Sequence, residues 1–401
     1  MSRDPASEDR GGRWLLPEGI EEALPETAWR LERLRRRILE LYDRWGYDLV
    51  IPPLIEYTDS LLVGVGHDLE LDTFKLVDQL SGRTMGLRAD MTPQVARIDA
   101  HRLGREGPVR LCYLGAVVHT RPGPFGGSRS PLQLGAELYG HRGLEADLEV
   151  LQLLLATLDC VEPPQPLVLD LGHVGIVHGV AAASGLDAAD EAALFEALQR
   201  KSTPDLEARL DVLGLPPAVD AMWRALADLH GEREVIARAR QELAPAGDAV
   251  GDALDHLAGL ADAVARARPE VRLHFDLAEV RGYHYHTGVV FAVYLPGEGE
   301  EIARGGRYDG IGAVFGRARP ATGFSTDLRR LAAFCADDDT WPGAIAAPTS
   351  DDPALAQRVA ELRTAGERVI AMLPGQGPAP EALGCDRHLV ERDGDWFVEE
   401  L

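Results

Sequence analysis

The sequence predicts an α+β protein: an antiparallel sheet flanked by helices, interrupted by a helical insertion and followed by a small α/β segment. Residues 110–140 read as two antiparallel strands joined by a long loop, because period-two alternation resumes after a stretch rich in Pro, Gly and Ser. Residues 174–268 instead show helical spacing of apolar residues throughout. Short apolar runs typical of strands surround one helical stretch in residues 341–401.

The length of 401 residues and the 45% hydrophobic composition favour more than one domain. Strand-like segments lie on either side of the helical stretch at residues 174–268, which we interpret as an insertion that packs against the core or a partner subunit. The predicted parts are a disordered tail (residues 1–13), the first part of the core (14–173), the helical insertion (174–268), the second part of the core (269–335) and a small α/β C-terminal domain (341–401).

The net charge of −24 argues against extensive contact with nucleic acid, since neutralising phosphates requires a basic surface. The four cysteines form no CxxC pair, which favours reduced thiols in a cytoplasmic protein. The first residues contain no apolar segment typical of a signal peptide, and no uncharged run approaches the ~20 residues that span a bilayer. A cytoplasmic protein that binds neither membrane nor nucleic acid is therefore expected.

A turn after the strand predicted at residues 83–87 carries the first candidate site residues. Thr92 suits the N-cap of the helix that follows, and Pro93 suits its first position. Asp90, just before them, is either a solvated acid at a capped turn or part of a binding pocket.

The returning strand of the central hairpin carries polar side chains at regular spacing. In residues 132–140, Gln133 and Glu137 alternate with leucine and alanine, so both side chains lie on one face of the strand. The Gly-rich loop before this strand lacks the Lys-Ser/Thr pair of a phosphate-binding loop.

A histidine-rich segment at residues 279–291 contains Arg281, His284, Tyr285 and His286 ahead of a strand. In an extended chain His284 and His286 share a face. A metal site would need a third ligand, which no Cys or Asp close in sequence supplies, and a general base would need an adjacent nucleophile. Pocket lining or partial burial is the favoured interpretation, and we assign neither a metal site nor a catalytic residue.

These segments together resemble class II aminoacyl-tRNA synthetases, in particular the histidyl-tRNA synthetase branch. The hairpin resembles motif 2, residues 321–331 resemble motif 3, and residues 281–286 resemble the histidine-specific signature peptide. The resemblance implies the class II catalytic-domain fold and a self-dimer. It also implies a histidine-binding pocket formed by Asp90, Thr92, Gln133, Glu137, Arg281, Tyr285 and His286.

The resemblance further implies how a histidine ligand would lie in that pocket. Its ammonium would meet Glu137, Gln133 and Asp90. Its carboxylate would meet Arg281, and its ring would meet Tyr285 and His286.

The segments that hold ATP in that family are altered in this chain. His119 stands in the place of the phosphate-binding arginine and Arg121 in the place of a glutamate. An imidazole cannot replace a bidentate guanidinium on phosphate. Asp327 stands where glycine is usual, and its carboxylate would repel a triphosphate. Arg330 still matches the arginine that contacts adenine and the γ-phosphate, so a degenerate ATP site without a cofactor is expected.

Retained pocket residues beside an altered ATP site resemble the regulatory subunit of the short-form ATP phosphoribosyltransferase, a paralogue of histidyl-tRNA synthetase in histidine biosynthesis. The resemblance implies a non-catalytic subunit that joins separate catalytic chains, as a hetero-octamer in the family, and transmits feedback inhibition by histidine. The alternative is an active histidyl-tRNA synthetase, supported by Arg281, Arg307 and Arg330. A scaffold that binds no histidine is a further alternative.

Overall fold

The computed structural model describes residues 15–62, 67–122, 127–163, 166–279, 282, 285–335, 343–375 and 379–401. The chain divides into two compact units, Met1–Cys335 and Ala336–Leu401. The predicted tail lies outside the described residues, and the division of the first unit into core and insertion stays a prediction. Within the described ranges, no helix combines the length and the apolar character needed to cross a bilayer.

The first unit contains a large, mainly antiparallel sheet and a small three-stranded one. The large sheet has the order β1-β5-β6-β12-β11-β10-β7-β9-β8, and the small one has the order β2-β4-β3. This architecture confirms the predicted α+β class. The strands are β1 (Asp48–Leu49), β2 (Ile55–Tyr57), β3 (Lys75–Val77), β4 (Thr84–Leu87), β5 (Val109–Ala116), β6 (Leu132–Tyr139), β7 (Val168–His173), β8 (His230–Gly231), β9 (Arg272–Asp276), β10 (Val289–Tyr294), β11 (Ala303–Arg307) and β12 (Ala321–Asp327).

Helices flank the large sheet and form most of the insertion. A π-helical turn, Ile98–Leu103, extends the fourth helix, and short 3-10 turns occupy Ala244–Ala246 and Ile311–Phe315. The α-helices of the first unit are α1 (Pro25–Arg44), α2 (Thr58–Leu61), α3 (His67–Asp72), α4 (Thr92–Arg97), α5 (Leu144–Asp159), α6 (Val174–Ser184), α7 (Ala188–Gln199), α8 (Thr203–Leu213), α9 (Pro217–Asp228), α10 (Glu234–Glu242), α11 (Asp248–Ala267) and α12 (Leu328–Ala332).

The apolar faces of most helices of the first unit meet in one large hydrophobic cluster, while α4 contributes Val95 and Ala96 to a second cluster. Ile38 and Tyr42 of α1 are fully buried and share the large cluster with Leu151 of α5, as the helical spacing of apolar residues requires. Trp223 and Leu257 of the insertion belong to the same cluster. Helix α11 packs against α5, α6 and β7, so the insertion is an integral part of the first unit's core.

The predicted central hairpin is present as β5 and β6. The two strands pair antiparallel, with Tyr113 opposite Gly135 and Leu111 opposite Glu137. Strand β12 pairs with the other edge of β6 and places Gly323 opposite Glu137. The predicted motif 3 segment is likewise a strand, β12, running directly into helix α12.

The second unit is a four-stranded sheet with one helix. Its strands follow the order β14-β13-β15-β16, and β13 lies parallel to both of its neighbours. Helix α13 begins at an N-cap, Asp352, whose side chain accepts the Ala354 N–H. The elements are β13 (Ala344–Ala347), α13 (Pro353–Thr364), β14 (Val369–Ala371), a 3-10 turn (Pro380–Leu383), β15 (Cys385–Arg392) and β16 (Asp395–Glu400).

Candidate functional site

The turn that precedes α4 lies against the polar face of β6. Asp90 Oδ1 accepts hydrogen bonds from the Thr92 N–H at 2.9 Å and from Gln133 Nε2 at 2.8 Å. Gln133 Oε1 in turn accepts the Met91 N–H at 2.9 Å. Asp90 and Gln133 are both only half-buried, so this corner holds a fixed carboxylate within reach of a ligand.

Glu137, on the same face of β6, is almost completely buried at 1% exposure. The Tyr113 hydroxyl donates to its Oε1 at 3.0 Å, and the Tyr308 hydroxyl donates to its Oε2. Burial raises the pKa of Glu137 to about 8, although both tyrosine hydrogen bonds oppose this change. A cationic or N–H-donating ligand group would offset the cost of ionising a carboxyl in this environment.

Tyr285 forms the aromatic wall of the same site. Its ring stacks on Tyr308 with centroids 5.0 Å apart and planes at 20°. Burial, with the Glu137 and Asp90 carboxylates nearby, raises the pKa of Tyr285 well above its usual value. The Tyr285 hydroxyl is buried without a hydrogen-bond partner in the part of the chain that the structure describes. Such an atom costs about 1–3 kcal/mol, which a bound ligand group would recover.

His286 packs edge-on against Tyr285, with ring centroids 5.3 Å apart. Its Nδ1 lies 3.3 Å from the Arg307 carbonyl oxygen, which only accepts, so Nδ1 carries the ring proton. Burial lowers the pKa of His286 to about 4. The imidazole is therefore neutral at pH 7, with Nε2 as an acceptor.

Glycines make the room that these side chains occupy. A Cβ at Gly323 would overlap Glu137 Oε2, and a Cβ at Gly135 would overlap the Tyr113 hydroxyl. Only glycine at these two strand positions allows a carboxylate and a tyrosine to lie across the sheet surface.

The structure corrects one sequence prediction and adds two residues. Thr92 is not the N-cap of α4: it is the helix's first residue, and its hydroxyl lies 3.1 Å from the Tyr113 hydroxyl. Asp90 accepts the free N–H there, so the predicted capping function belongs to the neighbouring acid. Sequence reasoning did not assign Tyr113 and Tyr308 to the site, although the glycine opposite Tyr113 was a readable signal of close approach.

Two residues of the histidine-rich segment cannot be placed. Arg281 and His284 lie outside the described residues. The predicted contact between Arg281 and a ligand carboxylate stays a prediction.

Most of the residues predicted to mark a degenerate ATP site form hydrogen bonds with other groups of the protein. His119 Nε2 hydrogen bonds to the Ala89 carbonyl at 2.9 Å, and Arg121 is exposed. Asp327 Oδ1 accepts the N–H groups of Leu132 and Arg329, both at 3.0 Å, and so caps α12. Arg330 donates at 3.2 Å to Glu300 Oε2 and at 2.9 Å to the Glu301 carbonyl.

One cluster of acidic residues outside this site has the spacing of metal ligands. Oxygens of Asp170, Asp276 and Glu279 lie within 4.8 Å of one another. Asp170 is bound by His274 Nδ1 at 2.9 Å, and Asp276 is bound by the Lys201 ammonium. The Lys201 ammonium thus already pairs with Asp276, and the His274 ring occupies an oxygen of Asp170.

The fold and this pocket define a protein of the histidyl-tRNA synthetase class. The family model described as histidyl-tRNA synthetase matches residues 19–331. A histidyl-tRNA synthetase from Nostoc sp. PCC 7120 shares the fold with a TM-score of 0.75 at 19% identity, over 94% of this chain and 91% of that one.

Further matches are to ATP phosphoribosyltransferase regulatory subunits. The model of the ATP phosphoribosyltransferase subunit HisZ C-terminal domain matches residues 342–399. An ATP phosphoribosyltransferase regulatory subunit of Thioalkalivibrio sulfidiphilus is 58% identical over 97% of this chain and 99% of that protein. The Bacillus halodurans structure described as an ATP phosphoribosyltransferase regulatory subunit/histidyl-tRNA synthetase superposes with a TM-score of 0.82 at 27% identity, over 92% and 96% of the two chains. The chain belongs to the family of ATP phosphoribosyltransferase regulatory subunits, as its motifs predicted.

Proposed function

We propose that this chain is the regulatory subunit of a short-form ATP phosphoribosyltransferase and acts in histidine biosynthesis. In this proposal it has no catalytic activity of its own. It assembles with a separate catalytic chain and binds free histidine as the feedback effector. The observation that carries the proposal is the buried cluster around Glu137, whose pKa is raised and beside which the Tyr285 hydroxyl has no hydrogen-bond partner among the described residues.

The chemistry of the pocket suits histidine. Histidine offers an ammonium and an imidazole N–H as donors, and the pocket offers two carboxylates, Asp90 and Glu137, as acceptors. The ligand's ring has aromatic partners in Tyr285 and His286. Hydrogen bonds to charged groups contribute about 1.5–3 kcal/mol each, so three to five of them supply the ~8 kcal/mol of a micromolar complex.

The absence of catalysis in the proposal follows from the residues around the former ATP site. A triphosphate needs cationic groups that are free to contact it. Arg330 is engaged with Glu300, and Arg129 of the motif 2 loop donates at 3.0 Å to the His119 carbonyl. Binding ATP would require these arginines to leave existing acceptors while the Asp327 carboxylate remains nearby.

A self-dimer within the hetero-octamer is supported by the surface at one edge of the large sheet. β1 is the terminal strand of that sheet, and an apolar segment continues from it. Ile51 is 81% exposed, and Leu49, Leu54 and Ile55 are each at least 40% exposed. Exposed apolar residues that lie close together in sequence beside a sheet edge are typical of a protein–protein interface.

Co-expression with a short-form catalytic subunit tests the proposal. The two chains should co-purify, and histidine should inhibit the assembled enzyme. Asp90→Asn should raise the histidine concentration needed for inhibition, whereas Glu207→Gln, an exposed charge on the insertion, should leave it unchanged. Histidine-dependent ATP–pyrophosphate exchange by the isolated chain would instead establish an active histidyl-tRNA synthetase.

A further inference from the structure

A groove on the first unit ends at a pair of histidines. It has a volume of about 480 Å³ and lies between α6 and α11, lined mainly by small residues and by His178, Asp252 and the two histidines. His173 and His256 meet at its floor with ring planes at 80° and centroids 5.5 Å apart.

The two histidines form a hydrogen-bonded pair that lies against Asp147. The Gly175 N–H donates to His173 Nδ1 at 3.1 Å, so the proton of the neutral His173 ring is on Nε2. Burial lowers the pKa of His173 to about 4, which keeps that ring neutral. His173 Nε2 therefore donates to His256 Nδ1 at 3.4 Å, and the other ring nitrogen of His256, Nε2, lies 3.2 Å from Asp147 Oδ2.

Asp147 connects the two histidines to Arg307. Asp147 is completely buried, and Arg307 NH2 lies 2.9 Å from its Oδ1. The same guanidinium also donates to the carbonyls of His141 and Gly143, at 3.2 and 3.3 Å. A buried pair with this many partners is costly to break, because each charge would be left uncompensated.

The backbone of Arg307 forms part of the ligand pocket. Its carbonyl accepts from the Thr287 N–H at 2.8 Å and from His286 Nδ1 at 3.3 Å. The next residue, Tyr308, donates to Glu137 and stacks on Tyr285. Arg307 thus contacts residues of the pocket through its main chain. Its side chain pairs with Asp147, which lies beside the two histidines.

We propose that Asp147, His256 and His173 are positioning residues for the ligand pocket, acting through Arg307. Occupancy of the pocket by ligand and the packing of α6 against α11 then depend on each other. This inference rests on the proposed binding of histidine and adds the route by which occupancy reaches the insertion. Coupling acts in both directions, so a substitution at His256 should change ligand affinity, and ligand binding should change the surroundings of His256.

The test combines calorimetry with histidine-ring NMR on the full chain. His256→Ala removes the link to Asp147, and histidine affinity should fall about fivefold or more, the lower end of typical coupling between sites. His256→Gln should restore much of that affinity, because its amide presents one acceptor and one donor in the same order. His178→Ala, which lines the same groove and packs on Phe195, is the matched control and should bind as the wild type does. Circular dichroism verifies that each variant is folded.

The wild-type protein gives an independent readout. Added histidine should shift the ring signals of His256, and it should leave those of the exposed His101 unchanged. Wild-type binding with equal affinity in His256→Ala and His178→Ala, and with no shift at His256, would overturn the linkage while the proposed function stands. A wild-type protein that binds no histidine would overturn both.

Discussion

Replacing Glu137 with glutamine removes one negative charge from the pocket and keeps the size of the side chain. Tyr113 and Tyr308 retain an acceptor or donor to pair with, so the variant should fold. The charge-assisted bond to the ligand is lost. That bond contributes about 1.5–3 kcal/mol, which corresponds to roughly 10- to 150-fold in the histidine Kd.

The raised pKa makes this loss depend on pH. Since the pKa of Glu137 is about 8 in the empty pocket, a proton must leave before the carboxylate pairs with the ligand. Each pH unit below that value costs the wild type about 1.4 kcal/mol, or tenfold in affinity. The advantage of wild type over E137Q should therefore be small near pH 6, rise towards pH 8 and level off above it. Titration of histidine itself cancels in the ratio of the two affinities.

The free energy of unfolding of the ligand-free protein should also depend on pH. The pKa of Glu137 is raised from 4.5 to about 8 by folding. The unfolded chain therefore loses its proton first, and wild-type stability declines as pH rises between these values. The E137Q variant should show no such decline in its free energy of unfolding.

Titration calorimetry of wild type, E137Q and the charge-matched surface variant E207Q, between about pH 6 and 9, measures the difference. A wild type-to-E137Q ratio that does not change with pH would refute the assigned role of Glu137. So would E137Q affinity equal to that of E207Q at pH 8.

Three further outcomes follow from single contacts. Gly323→Ala should abolish histidine binding and destabilise the protein by about 1–3 kcal/mol, measured by calorimetry and denaturant unfolding, because the new methyl group would overlap Glu137 Oε2. Asp327→Ala should lower the free energy of unfolding by about 1–2 kcal/mol through loss of the α12 cap, and ATP titration should still show no binding. Ile51→Asp should reduce the sedimenting species to a monomer, whereas Val212→Asp, at an equally exposed apolar position on the insertion, should sediment as the wild type does.

Much of the fold was predictable because it depends on local periodicity. The alternation in residues 132–140 identified a strand with Gln133 and Glu137 on one face, and the structure has that strand as β6. The helical spacing at residues 174–268 corresponds mainly to helices α6 to α11. The wrong prediction concerned Thr92, where cap preference alone does not reveal that the hydroxyl is drawn to Tyr113 on a distant strand.

Within the candidate site, the sequence predicted those residues whose type and motif suggest a binding role. Asp90 and Glu137 were assigned from their motifs, and the structure brings both near the Tyr285 hydroxyl. Tyr308 was not assigned to the site, because nothing near it in sequence shows that its hydroxyl reaches Glu137.

The sequence by itself determined which segments alternate, which are helical, and where a carboxylate replaces a family glycine or an imidazole replaces an arginine. Only the tertiary structure decided which of these polar groups are engaged within the protein and which are not. Asp327 binds the backbone of Leu132 and Arg330 binds Glu300, while the Tyr285 hydroxyl remains buried without a partner among the described residues. The physical reason is that burial and hydrogen-bond satisfaction depend on groups far apart in the chain, which only folding brings into contact.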